Sequence, residues 1–285
     1  TGTISICQEQ YIDEIIAAAG IADAASVSSP EDTGVLLSAD DAPPPGSPEL
    51  LTPKYKRFHQ LYRKVVGMLI YLRCAYRADI MHAVKICARF VQRPGEKHWT
   101  AVKRVVRYLK GSRSLRLVLR GPKDGKPILV IFSDADDANN VDDRGSISCA
   151  LYAITDAARS FYSFYAWSNP TQIKTARSST ESEIMAVDSA HRFGLHERGL
   201  LAELGFPQDA TCLYIDSQAT EMILLGDHPG KYKNVKHIAR RFFAMQQERA
   251  SGNFLLFHIS GDLNPSDIGC AYKTAAHFQV IRNYV

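Results

Sequence analysis

Four carboxylates lie where a protein could use them together to hold metal ions. Asp134 follows a short apolar run directly, and Asp216 comes just past another. Glu183 lies early in a long predicted helix, and Asp267 begins the last helical segment. The ends of strands in an open α/β sheet are where ligand groups collect. Carboxylates gathered there repel one another unless divalent cations neutralise them.

The ligand types define the chemistry that such a site could perform. Carboxylate oxygens without neighbouring His or Cys favour Mg²⁺ or Mn²⁺ over zinc. Two such ions, roughly 3.5–4 Å apart, can activate water and stabilise the leaving oxygen in phosphodiester hydrolysis. Each acid taken alone is more often a solvated turn residue, so the prediction rests on the ordered set. We expect no small-molecule cofactor.

The segments around these acids predict an α/β fold in the last part of the chain. Short apolar runs bounded by Gly, Pro, Ser or Asp indicate strands, and apolar residues at helical spacing indicate helices. Strands are predicted at 128–132, 146–154, 160–167, 212–215 and 254–259, and helices at 179–204, 218–225 and 237–250. Strands alternating with helices in mixed order predict a sheet flanked by helices.

Upstream, the pattern divides the chain further. Residues 1–36 begin with a predicted strand at 3–6 and a helix that Gly20 could end. Residues 37–53 are rich in Pro, Ser and Asp and are predicted to form an exposed linker. Residues 54–121 carry three apolar stripes at helical spacing and are predicted to be a helical subdomain, followed by the α/β domain at 125–285.

Charge is distributed unevenly along the chain. Residues 1–53 carry a net −9, residues 54–123 a net +17, and residues 124–285 a net −4. A dense basic block is the expected footprint of a contact with phosphate backbones. On the third helix of this block, Lys103, Arg104, Arg107 and Lys110 are predicted to contact phosphates without base specificity.

Composition also limits the cellular setting. The six cysteines are scattered without a CxxC pair, which indicates reduced thiols rather than a zinc site. No apolar run approaches the ~20 residues that a membrane-spanning helix needs, so no membrane partner is expected. The chain starts at Thr1 without an initiator Met, which suggests a piece of a longer polypeptide.

Ordered motifs along the chain resemble those of one family. They are Phe132-Ser-Asp-Ala-Asp136, Ser178-Ser-Thr-Glu-Ser-Glu183, Tyr214-Ile-Asp-Ser-Gln218 and, upstream, His98-Trp-Thr-Ala-Val-Lys-Arg-Val-Val-Arg-Tyr-Leu-Lys-Gly111. Together they resemble the C-terminal part of the reverse transcriptase, with its ribonuclease H domain, of copia-type LTR retrotransposon Pol polyproteins. The resemblance implies a ribonuclease H-like mixed sheet flanked by helices, preceded by a small helical connection subdomain.

The resemblance also implies an activity. It is endonucleolytic hydrolysis of the RNA strand of RNA–DNA hybrids, with two Mg²⁺ or Mn²⁺ ions. The expected partners are the hybrid and the upstream polymerase region of the same polyprotein. The expected location is a cytoplasmic virus-like particle, or alternatively the nucleus. Nothing before residue 54 offers the paired-Asp hairpin of a polymerase palm, and that stretch is too short to hold a palm, so polymerase activity is not expected from this piece.

Carried over by position, the metal-binding and catalytic acids of the family fall on Asp134, Glu183, Asp216 and Asp267. Asp136 is a rival to Asp134 as first ligand, and Glu181 is a rival to Glu183. Additional contacts with nucleic acid are expected from Arg144, Ser217 and Gln218.

Two other functions compete with this one. An integrase or transposase shares the architecture but places its Glu after both Asp residues, whereas here Glu183 comes second. A non-catalytic connection module of a diverged or decayed element would bind nucleic acid without cutting it. Departures such as Asp137-Ala-Asn139, where the family usually has Trp-Ala-Gly, suit that alternative, whereas retention of all four acids favours the nuclease.

Overall fold

The N-terminal part of the chain is a helical layer with a two-stranded ribbon at its side. In the computed structural model the described residues are all except 1, 137–141, 143–144, 174–175, 177, 227–235 and 284–285, and side chains are not described at 236–239. The ribbon and helices are β1 (Thr3–Ile6), α1 (Glu9–Ala19), α2 (Pro53–Ala75), α3 (Met81–Arg89), α4 (Glu96–Gly111) and β2 (Leu117–Arg120). Gly20 ends α1 in the left-handed conformation, as the sequence predicts.

One element of this layer departs from the prediction. Residues 54–121 were predicted to be helical throughout, but β2 is a strand that pairs antiparallel with β1. Ile4 lies opposite Leu119, more than a hundred residues away along the chain. A four-residue segment whose partner is so distant carries no local signal that separates strand from helix.

The C-terminal part is built on a five-stranded mixed sheet. Its elements are β3 (Ile128–Asp136), β4 (Ile147–Thr155), β5 (Ser163–Ser168), α5 (Ser179–Glu203), β6 (Thr211–Ile215), α6 (Gln218–Leu225), α7 (Lys236–Ala250), β7 (Phe254–His258) and α8 (Ala275–Arg282). The strand order is β5-β4-β3-β6-β7. Strand β4 pairs antiparallel with both β3 and β5, whereas β6 pairs parallel with both β3 and β7. The predicted mixed sheet flanked by helices is therefore confirmed.

Strand β3 is longer than predicted. The sequence-based strand ended at residue 132, but pairing with β4 continues through Asp134, which lies opposite Cys149, to Asp136. The prediction that Asp134 follows the strand is wrong, because the carboxylate lies within it. Ser and Asp are poor strand formers, so the local signal stops before the pairing does.

Helices cover both faces of the sheet. One face, which includes Val130 and Phe132, joins a continuous apolar core with α1–α4 and with Phe278 of α8. The opposite face, which includes Ile131, packs against α5 and, through Met245, against α7. The sheet is thereby held rigid from both sides, and the positions of its strand ends are fixed.

The four-part division of the chain stays a prediction, although several observations bear on it. Residues of α1 and of α2–α4 share one apolar core. Within 37–53, Leu37 is buried, and two short 3₁₀ helices form at Ala39–Asp41 and Pro48–Leu51. The imidazole of His98 also lies 2.9 Å from the carbonyl oxygen of Ser38. In the described part of the chain no helix is long and apolar enough to cross a bilayer.

A buried ion pair joins the turn between α2 and α3 to α4. The guanidinium of Arg77 donates two hydrogen bonds to the carboxylate of Asp79, at 2.8 and 2.7 Å, and also bonds Ser112. The hydroxyl of Tyr108 donates to the same carboxylate at 2.5 Å. Burial opposes ionisation of Asp79, but the charge and hydrogen bonds of Arg77, with the bond from Tyr108, outweigh it and lower its pKa.

We predict that Asp79→Asn lowers the free energy of unfolding by about 3–5 kcal/mol, because it leaves the buried Arg77 charge without its partner. A lowered pKa in the folded state stabilises the fold above the ordinary carboxyl pKa, and this contribution is lost as pH falls through the folded value. Urea unfolding at several pH values measures both effects. Asp13→Asn, which breaks an exposed pair with Arg113, is the control and should cost about 0–1 kcal/mol; equal losses in both variants would contradict the prediction.

Candidate metal centre

Three of the predicted acids meet at one edge of the sheet. Carboxylate oxygens of Asp134, Glu183 and Asp216 all lie within 4.8 Å of one another. Asp134 and Glu183 are buried, and Asp216 is half-buried. Among the described residues this is the one group of His, Cys, Asp or Glu side chains with spacing suited to a metal ion.

The sheet pairing explains why two of these acids are neighbours. Phe132 of β3 lies beside Tyr214 of the parallel strand β6. Asp134 and Asp216 each come two residues later, and side chains two apart on a strand point to the same face. Parallel pairing therefore brings the two carboxylates to the same end of adjacent strands.

Glu183 reaches the cluster from the first turns of α5. The hydroxyl of Ser178 accepts a hydrogen bond from the backbone N–H of Glu181 and caps the helix. Farther along α5, Gly194 lies directly over the Ile131 side chain, where a Cβ atom would come within 2.4 Å of it. This close packing of α5 on β3 fixes the distance between the helix and the sheet, and with it the position of Glu183 relative to the strand ends.

The three acids are electrostatically strained. Burial, and then the charges of Asp267 and Asp216, raise the pKa of Asp134 well above its usual value. Burial and the charge of Asp134 do the same for the pKa of Glu183, and burial is the first cause of the raised pKa of Asp216. Ionising the whole set therefore requires a compensating positive charge.

The donor set fits a hard divalent cation. One carboxylate oxygen of Glu183, Oε2, is buried and has no hydrogen-bond partner in the described structure. An unpaired buried carboxylate oxygen is costly, and a cation would satisfy it. All three side chains offer oxygen, the ligand atom that Mg²⁺ and Mn²⁺ prefer.

Asp267 lies beside the cluster but outside the group of three. It is close enough to Asp134 to raise the pKa of that carboxyl by charge and hydrogen bonding. Its own carboxylate is paired with Lys273, whose Nζ lies 2.5 Å from Oδ1. The turn that carries it packs closely at Gly269, where a Cβ atom would come within 2.4 Å of the Cys149 sulfur. The role of Asp267 as a ligand stays a prediction.

Neither rival acid belongs to the cluster. Asp136 and Glu181 are both buried, and neither is in the group of described carboxylates with metal-ligand spacing. This arrangement favours Asp134 over Asp136 and Glu183 over Glu181.

Sequence reasoning missed two residues that organise the site. Asn264 is fully buried, donates to the backbone carbonyl of Ser133 at 3.2 Å, and hydrogen-bonds the Asp216 side chain, which opposes the rise in its pKa. Lys273 holds Asp267. The Asn264-Pro265 dipeptide marks a helix start, but its link to strands β3 and β6 depends on tertiary packing that local sequence does not show.

The predicted nucleic-acid contacts fall in two places, and Arg144 lies outside the described residues. Ser217 and Gln218 directly follow Asp216; Ser217 caps α6 and Gln218 is exposed. The basic residues of α4 lie elsewhere, against the segment after α1. Arg107 donates to the carbonyl oxygen of Ala25 at 2.6 Å, and Lys110 to that of Ala24 at 3.0 Å.

Arg104 is engaged by the same segment, through Ser29 at 3.3 Å and Asp32 at 3.4 Å. In this arrangement three of the four predicted phosphate ligands already bind protein groups, and Lys103 alone has no described polar partner. Residues 24–32, in the acidic N-terminal region, therefore lie on the basic face of α4. The spacing of apolar residues could not predict this contact. Phosphate binding by these residues stays a prediction.

Relatives of the chain come from retrotransposons. It is 30% identical over 263 residues to the retrovirus-related Pol polyprotein from transposon TNT 1-94 of Nicotiana tabacum, and 30% over 200 residues to that of transposon RE2 of Arabidopsis thaliana. These alignments cover 92% and 70% of this chain. The chain is similar to one segment of these retrotransposon Pol polyproteins. It spans only 19% and 13% of the length of these two relatives.

Two other similarities extend over a smaller part of the chain. A protein named secreted RxLR effector protein 161 of Plasmopara viticola is 36% identical over 129 residues, 45% of this chain and 85% of that protein. The N-terminal RNase H domain of Rv2228c from Mycobacterium tuberculosis aligns with a TM-score of 0.34 at 13% identity, over 55% of this chain and 98% of that one. No protein-family model matches the chain.

We predict that Glu183→Gln stabilises the cation-free protein by about 1 kcal/mol, because it removes a buried charge from the repulsive cluster. Since the pKa of Glu183 is raised in the folded state, its contribution to stability is lost as pH rises through that value, so the advantage of the variant should grow with pH. Thermal unfolding in EDTA and in 10 mM Mg²⁺ is the measurement. Mg²⁺ should raise the Tm of the unmodified protein and of Glu181→Gln, but not that of Glu183→Gln. If Mg²⁺ instead raised the Tm of Glu183→Gln and not that of Glu181→Gln, Glu181 would be the ligand.

We predict that Arg107→Gln with Lys110→Gln lowers the free energy of unfolding by about 1–2 kcal/mol, because two charge-assisted hydrogen bonds to the segment after α1 are lost. The salt dependence of hybrid binding should stay unchanged. Urea unfolding and fluorescence anisotropy measure the two effects, with Lys103→Gln as a control for charge. A flattened salt dependence at unchanged stability would instead support the sequence-based assignment to phosphates.

Proposed function

We propose that this chain cuts the RNA strand of RNA–DNA hybrids, as the ribonuclease H part of a retrotransposon reverse transcriptase. The observation that carries the proposal is the cluster of Asp134, Glu183 and Asp216, whose oxygens lie within 4.8 Å of one another at the edge of the sheet. The order of the four acids, in which Glu183 comes second, supports a nuclease over an integrase. The partners proposed are the hybrid and the upstream polymerase region, in cytoplasmic particles.

The residues present would hold two Mg²⁺ or Mn²⁺ ions. Asp134, Glu183 and Asp216 would be the central ligands, and Asp267 would complete the set. When bound, the ions supply an activated water and stabilise the leaving oxygen of the phosphodiester.

The chain itself supplies the rigid positions for these ligands. The backbone of Asp134 is held in position by strand pairing with Cys149. Asn264 bonds both the backbone of β3 and the Asp216 side chain, so one buried amide orients two neighbouring ligands relative to each other. Lys273 neutralises Asp267 and limits the total negative charge at the site.

We assign Ser217 and Gln218, which directly follow Asp216, to contacts with the substrate strand. A hybrid carries 2′-hydroxyls on one strand only, and hydrogen bonds to that group distinguish RNA from DNA. Gln218, which is exposed at the start of α6, offers both a donor and an acceptor to it.

We predict that Asp216→Asn reduces cleavage of a labelled RNA–DNA hybrid in Mg²⁺ or Mn²⁺ by at least about a thousandfold while the fold is retained, because a metal ligand is lost. The same buffers should leave the DNA strand intact. Asp209→Asn, an exposed acid before β6, is the matched control and should cleave at the unmodified rate.

The outcomes separate this proposal from its rival. Retained cleavage in Asp216→Asn would remove that residue from the site. Tight hybrid binding by the unmodified chain with no cleavage in either metal would indicate the non-catalytic connection module instead.

A further inference from the structure

A cavity lined by several arginines lies away from the acidic cluster, at the seam between the β1–β2 ribbon and the five-stranded sheet. Its volume is about 580 Å³. Arginines dominate its lining, at positions Arg77, Arg116, Arg120, Arg159 and Arg282, and Asp79 is the acid among its lining residues. Asp79 is already neutralised by Arg77, so the cavity has an excess of about four positive charges.

Few carboxylates compete with a bound anion for the arginines of the cavity. Arg116 is paired with Glu9 at 3.4 Å, and both side chains are substantially exposed. Arg120 is exposed, and no carboxylate of the described residues lies within ion-pair distance of its side chain. Asp156, in the turn next to Arg159, is occupied by the backbone N–H and hydroxyl of Ser160.

Two arginines are held in place by the protein. Arg159 has a left-handed backbone with φ of 53°, contacts the Tyr214 hydroxyl, and lies over the Tyr214 and Phe257 rings. Arg282 hydrogen-bonds the side chain of Tyr108. Side chains fixed in this way lose little entropy when they bind an anion.

The seam itself is a defined contact. The backbone N–H of Arg120 donates to the Ser163 hydroxyl at 2.7 Å, which joins β2 to the start of β5. Ser163 lies opposite Ile154, and Ile154 opposite Leu129. The cavity is therefore at the start of β3, five residues before Asp134, which corresponds to about 17 Å along an extended strand.

We propose that this cavity binds backbone phosphates of the nucleic acid whose scissile bond lies at the acidic cluster. Arginine forks match phosphate oxygens in pairs. Three of the five arginines, Arg120, Arg159 and Arg282, have no carboxylate within ion-pair distance among the described residues, which suits the cavity to a polyanion. At about 3.4 Å per nucleotide, the bound phosphates lie about five nucleotides from the scissile one. The distance of five nucleotides from the scissile phosphate rests on the proposed function, whereas anion binding by the cavity does not.

Hybrid binding to the full chain in EDTA tests the proposal without any cleavage. Arg116→Gln with Arg120→Gln removes two charges at exposed positions and leaves the buried Arg77–Asp79 pair intact. We expect an 18-base-pair RNA–DNA hybrid to bind about tenfold more weakly, with the slope of log K against log salt reduced by about 1–2. A four-base-pair hybrid, whose three base steps span only about 10 Å and therefore cannot reach from the cluster into the cavity, should bind both proteins equally.

A matched variant controls for charge alone. Arg57→Gln with Arg63→Gln removes two exposed arginines from α2 and should leave binding of the longer hybrid within about twofold. Equal weakening by both double variants, or none by the cavity variant, would overturn the proposal. If the cavity variant failed to fold by thermal melting, the single Arg120→Gln exchange would be used and about half the change in slope expected.

Two further measurements distinguish the phosphate cavity from a free-nucleotide site and from the nuclease centre. Micromolar binding of ATP that the cavity substitutions abolish, with hybrid binding unchanged, would identify a free-nucleotide site and overturn the proposal. Cleavage of the short hybrid in Mg²⁺ should survive the cavity substitutions but not Asp216→Asn. If neither protein cleaves while binding still depends on the cavity, the proposed nuclease function fails and the phosphate site stands.

Discussion

Mutual repulsion among buried carboxylates is the constraint around which the C-terminal half of the structure is organised. Asp134, Glu183 and Asp216 are forced together by a rigid sheet and a closely packed helix, although burial and like charge both oppose their ionisation. Such an arrangement persists only where the surrounding fold over-determines it. Two helical layers, one on each face of the sheet, provide that excess of stability.

The identity of the site was accessible from sequence because its residues follow strong local signals. Apolar runs predicted β3 and β6, apolar residues at helical spacing predicted α5, and each acid could be placed relative to these elements. The exact end of β3 could not be predicted, since pairing with β4 carries the strand through polar residues. Asn264 escaped notice for a related reason, because its importance lies in bonds to strands 48 and 131 residues away in sequence.

Charge patterning was the least reliable guide to contacts. The basic block of residues 54–123 was expected to face nucleic acid, yet part of it faces the acidic N-terminal region of the same chain. Sequence shows how much charge an element carries but not which partner reaches it first, since an intramolecular partner competes at high effective concentration. The arginines of the seam cavity, spread over four separate segments, formed no visible motif at all.

The pairing of β1 with β2 gives the N-terminal region an unusual topology. Residues 3–6 and 117–120 are joined by backbone hydrogen bonds, and α1 lies in the same core as α2 and α4. The polypeptide between them is therefore a loop closed by noncovalent contacts. A chain opened anywhere between Gly20 and Pro53 would keep its first segment bound, so this part of the molecule could assemble from two separately made fragments.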